Sequence, residues 1–107
     1  MKTIPHYINK KGEIVFLEVT AHAWNRFLQR WKLVYPEQPL PNDTTIAELF
    51  SRTNRVKNFS PKELERLKRY GKDSMFFRTN SFTFVVQNAT IVTVEICAKD
   101  SRYLNRV

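Results

Sequence analysis

Between Thr20 and Tyr35 the apolar residues Trp24, Phe27, Leu28, Trp31, Val34 and Tyr35 recur at spacings of three and four. That period puts them on one side of a helix. His22, Arg26 and Arg30 are four apart and stack on another side, over successive turns. One face is bulky and aromatic; the other holds an imidazole and two guanidinium groups. Thr20 can cap the start, and Pro36 stops the helix. The rest of the chain then has two tasks: to supply a sheet for the aromatic face, and a groove for the cationic one.

The sheet is legible on both sides of this helix. Residues 4–9 and 14–19 read as two strands, and Lys10-Lys11-Gly12-Glu13 between them supplies a hairpin turn. Pro5 marks the first strand as an edge. From Met75 the period changes to two, giving strands over about 75–79, 82–87 and 91–97. Asn80-Ser81 reads as a two-residue turn. If Asn88-Ala89-Thr90 is a three-residue turn, Phe82, Phe84, Val86, Val92, Val94 and Ile96 share one apolar face. Arg78, Thr83, Val85, Gln87, Ile91, Thr93 and Glu95 then share the other. A two-residue turn at Asn88-Ala89 would break that assignment.

The segment from Pro36 to Gly71 separates helix from meander. Pro36-Glu-Gln-Pro-Leu-Pro41 is a stiff connector. Thr45 and Glu48 have capping-box spacing before a short helix carrying Ile46, Leu49 and Phe50, with Arg52 and Arg55 in its tail. Ser60-Pro61-Lys62-Glu63 starts a third helix, which Gly71 ends. Leu64 and Leu67 form a thin stripe, which places that helix on the surface with its charges solvated. The expectation is one α+β domain over residues 1–107: an N-terminal hairpin, then a main amphipathic helix and two short helices packed on a curved antiparallel sheet.

The chain has 18 Lys and Arg against 10 Asp and Glu, a net charge of +8 on 107 residues. Such an excess favours an anionic partner, with nucleic acid the first guess. No apolar run is long enough to span a membrane, and Met-Lys-Thr-Ile-Pro-His lacks the apolar segment of a signal peptide. The expected location is the cytoplasm. Cys97 is the only cysteine, which excludes an internal disulfide or a cysteine-based zinc site. Two glycines, two histidines and no phosphate-binding glycine loop point away from a nucleotide or zinc enzyme, so no cofactor and no metal is expected.

Three stretches carry a family resemblance. Thr20-x-His22-Ala23-x-x-Arg26-x-x-x-Arg30 is similar to the His-Ala-x-x-Arg-x-x-x-Arg helix of BrnT-like toxins. The segment 75–86 resembles the central hairpin of RelE-like toxins, with Arg78 just before its turn. Val92 to Glu95, then Arg102-Tyr103, resembles their last strand and C-terminal segment. The chain departs from the family in the length of 36–71 and in lacking a His-Arg-x-x-x-Tyr tail. The resemblance implies the barnase/RelE-type fold and a metal-independent endoribonuclease, an mRNA interferase of a toxin–antitoxin system. The implied partners are RNA, either free or as ribosome-bound mRNA, and an acidic antitoxin protein that covers the basic groove.

Metal-free RNA cleavage needs a base for the ribose 2′-hydroxyl, an acid for the leaving 5′-oxygen and cations for the transition-state charge. Glu95 or His22 would be the base and His22 the acid, with Arg26 and Arg78 as phosphate clamps, since guanidinium forks match phosphate oxygens. Arg30, Lys99 and Arg102 would extend RNA binding, and Tyr103 could stack on a base. Each residue also has a plain structural reading: His22 solvated, Arg26 and Arg30 the wet side of a helix, Glu95 paired with Arg78, Tyr103 packing. The alternative function is a non-catalytic module whose basic face binds RNA, DNA or an acidic protein.

Overall fold

A computed structural model describes residues 2–8, 11–12, 14–57, 59, 61–71, 73–79 and 81–96, without the side chains of 5–8, 14–15, 62–63 and 66. The elements run β1 (Lys2–Ile8), β2 (Ile14–Val19), α1 (Ala21–Val34), α2 (Asp43–Ser51), β3 (Asn54–Arg55), α3 (Pro61–Tyr70), β4 (Met75–Arg78), β5 (Phe82–Gln87) and β6 (Thr90–Ile96). Three helices pack on one open six-stranded sheet of order β1-β2-β6-β5-β4-β3. β1 is an edge strand, as Pro5 implied.

The sheet is mixed, which corrects the antiparallel expectation. β2 pairs in parallel with β6 through two rungs only, Glu18 with Thr90 and Val19 with Ile91. The N-terminal hairpin and the C-terminal meander are joined there. Thr20 makes the joint. Its N–H donates to the Ile91 carbonyl at 3.2 Å, and its hydroxyl donates to the Val92 carbonyl at 3.4 Å. The same Oγ1 accepts from the Ala23 N–H at 3.0 Å and so caps α1. Where β2 stops pairing, α1 takes its place alongside β6.

The aromatic side of α1 builds the main core. Ala23, Phe27 and Val34 are buried, with Trp24, Trp31 and Tyr35 packed around them. The sheet contributes Phe82, Phe84, Val86, Ile91, Val94 and Ile96, and α2 contributes Ile46 and Phe50. Trp31 also pins the connector, its indole N–H donating to the Pro39 carbonyl at 3.0 Å. On the other face Val56, Phe76 and Val85 form a second, smaller core under Leu67 and Tyr70 of α3, with Val92 beside them. Helix α3 therefore covers the back of the sheet, though Leu64 stays 49% exposed.

Two local expectations change. Asn42, not Thr45, caps α2: its side chain accepts from the Thr45 N–H at 3.0 Å, and Thr45 completes the capping box from the third position. The helix thus starts earlier than Ile46. The short strand β3 also falls where only a helix tail was expected, Asn54 pairing with Arg78 and Arg55 with Phe77.

The β5–β6 turn has two residues, not three. Asn88 and Ala89 have φ of 49° and 56°, as a type I′ hairpin requires. That places Ile91 on the main core face and Val92 on the other, reversing both assignments. A bulge between Val85 and Val86 then absorbs one extra residue of β6, so Val94 and Ile96 return to the core face. Ala89 holds a left-handed conformation that its Cβ disfavours. Ala89→Gly is expected to stabilise the protein by about 1 kcal/mol, because Asn-Gly suits both turn positions. Thermal unfolding that starts at the same or a lower temperature would contradict this account of the turn.

Candidate nucleic-acid interface

The cationic side of α1 lies over the edge of β6. Arg26 and Arg30 are half-buried, one turn apart, and both donate from Nη1 to Gln29 Oε1 at 3.3 Å. A shared neutral acceptor lets two like charges stand together. Burial lowers the Arg30 guanidinium below its ordinary value and the Arg26 charge pushes the same way, while Glu95 and Tyr70 oppose them. Arg30 stays charged regardless. These causes place Arg26, Glu95 and Tyr70 within electrostatic reach of Arg30.

Strand register brings in Arg78. Glu95 of β6 faces Thr83 of β5, and Thr83 faces Arg78 of β4. Opposite residues share a face with Cβ atoms about 5 Å apart, so the three form one polar row across the back of the sheet. Asn54 of β3 extends it by one strand. Glu95 and Arg78 are half-buried, with Glu95 Oε2 and Arg78 Nε shielded from solvent. Thr83 and Thr93 are buried beside them. The row runs from β6, along which α1 packs, to the edge strand β3.

The structure therefore brings together Arg26, Arg30 and Glu95, and sets Arg78 in the same row. His22 stands one helical turn before Arg26 on the same helix. His22 is exposed in the first turn of α1, two helical turns before Arg30 and about 12 Å from it along the axis. Lys99, Arg102 and Tyr103 lie outside the described residues, as do Cys97 and the side chain of His6. Compared with known proteins, the chain matches no family model, no curated protein and no solved structure.

Sequence patterning alone did not single out Tyr70. It is the last residue of α3, and that turn is tightly built. Gly71, at φ 104°, donates its N–H to the Leu67 carbonyl at 2.8 Å. Gln87 Nε2 donates to the Tyr70 carbonyl and, at 2.8 Å, to Ser74 Oγ. The signal that could have found it is the spacing of Leu64, Leu67 and Tyr70. They are three apart, one turn each, which extends the thin stripe to an aromatic residue.

Chemically, the cluster offers three guanidinium groups and one carboxylate beside buried hydroxyls. The positive excess suits an anion with several oxygens, such as a phosphodiester. Among the described residues no helix is long and apolar enough to cross a membrane. No three His, Cys, Asp or Glu among them gather to hold a metal ion.

Proposed function

We propose that this protein is a metal-independent endoribonuclease of the RelE/BrnT-like type, whose cationic site an acidic antitoxin protein covers. One observation carries the reading: Arg26 and Arg30 stand half-buried one turn apart on α1, which packs along β6, and the Glu95 charge on that strand reaches Arg30. Two cations at a carboxylate can hold a phosphodiester while the carboxylate takes a proton. In the reaction, Glu95 removes the 2′-hydroxyl proton and the 2′-oxygen attacks phosphorus. The 5′-oxygen then departs and takes up a proton, leaving a 2′,3′-cyclic phosphate and a 5′-hydroxyl. Arg26, Arg30 and Arg78 stabilise the charge that builds on the phosphoryl oxygens.

The position of His22 bears on who supplies that last proton. At two turns from Arg30, it fits a contact to a neighbouring nucleotide better than one to the same phosphate. His22→Ala is therefore expected to keep most of the cleavage, with water serving as acid. The same distance favours the non-catalytic alternative, a basic surface that binds RNA without cutting it.

The deciding experiment is cleavage of unstructured RNA by purified protein in excess EDTA. The parent should cut, and Arg26→Ala/Arg30→Ala should not. The double variant should also show a salt slope for single-stranded RNA lower by about 0.7, for the one phosphate the pair no longer neutralises. Failure of the parent to cut free RNA and mRNA on translating ribosomes, with binding kept, would leave the binding module as the better account.

A further inference from the structure

The back of the sheet carries an aromatic residue that none of the roles above uses. Tyr70 is half-buried, packed against the Val56, Phe76 and Val85 cluster beside Val92. Val85 faces Thr93, two residues along β6 from Glu95, so this ring stands next to the polar row. Its backbone is fixed from both sides: Gly71 closes the helix, and the Gln87 amide holds the Tyr70 carbonyl. A ring already held by packing loses little freedom when a flat partner stacks on it. It is also within reach of the Arg30 charge.

We propose that Tyr70 makes this surface selective for unpaired RNA, its ring stacking on the base next to the phosphate that Arg26 and Arg30 hold. This rests on the RNA reading of the site and adds the form of RNA it takes. Phosphate contacts alone do not tell a single strand from a duplex. A base can stack on a tyrosine only when it is free of its own neighbours. The ring acts as a positioning residue: it sets which phosphate lies under the two arginines.

The test uses a short single-stranded RNA with one 2-aminopurine, and the same strand annealed to its complement. Binding is followed by fluorescence for the parent, Tyr70→Phe and Tyr70→Leu, with each variant's thermal unfolding checked. The parent should bind the single strand more tightly than the duplex, with a 2-aminopurine signal that reports stacking. Tyr70→Phe keeps the ring and should stay close to the parent. Tyr70→Leu fills the same apolar site and should lose roughly 10-fold to 100-fold in single-strand affinity. Its stacking signal should vanish and its duplex affinity stay unchanged. Equal losses on both RNAs, or no loss, would overturn the assignment of Tyr70. If the parent binds neither RNA, the RNA reading itself falls and the Tyr70 role with it.

Discussion

Phe27→Ala is expected to cost about 3–5 kcal/mol of stability, the range for deleting a buried aromatic ring. Phe27 has no solvent exposure and sits at the centre of the main core. Its ring lies 5.5 Å from Phe82 and 6.3 Å from Phe84 on the sheet, and 5.8 Å from both Trp24 and Trp31 on its own helix. Tilted and edge-on rings at such distances add to the burial gain. Alanine would leave a void walled by four aromatic side chains that cannot all move inward. Small domains are stable by only about 5–15 kcal/mol, so the variant would be close to unfolding at body temperature. Urea unfolding would read it as a lower midpoint with an unchanged slope. Leu40→Ala, at a residue 59% exposed, is the control and should change stability by less than about 0.5 kcal/mol. Similar costs at the two positions would mean that α1 does not organise the core.

The second large effect belongs to Glu95. Glu95→Gln keeps the shape and removes the proposed base, so cleavage should fall by about 10²–10⁴-fold. The direction of the binding change separates catalysis from structure. Gln removes a negative charge beside Arg30, so RNA affinity should hold or rise. A variant that merely misfolded would lose both. Single-turnover cleavage alongside equilibrium binding in EDTA gives the two numbers. If cleavage survives Glu95→Gln, the carboxylate does not take the proton, and its task is only to hold Arg30.

How much of this could be read from the residues differs by element. α1 was legible because its apolar spacing, its cap and Pro36 all agree. β2 and β5 were legible as short runs of β-branched and aromatic residues beside turn-forming ones. The partner of β2 was not: Leu17 and Val19 pointing inward look the same whether the next strand is parallel or antiparallel. β3 escaped because two polar residues, Asn54 and Arg55, carry no period. The bulge opposite Val85 and Val86 escaped because an inserted residue restores the alternation on either side of it. For the site, four-residue spacing put Arg26 with Arg30, and strand alternation put Glu95 with Arg78. No spacing joined the two pairs; they shared a site only as the expected chemistry required, and the geometry for it had to come from the fold. That needed α1 to run beside β6, which the parallel joint at Thr20 decides.

The joint also sets an order of events. Thr20 and Val92 are 72 residues apart in the chain, and the first strands have no partner in the meander until β6 exists. Contacts this distant in sequence slow folding, since a long loop must close before they reward it. During synthesis the N-terminal hairpin and α1 leave the ribosome first, with the aromatic stripe uncovered and the arginines facing no carboxylate. Glu95 arrives on the last strand described. On the proposed reading, a nascent chain therefore carries no assembled cleavage centre until the strand holding Glu95 has been made.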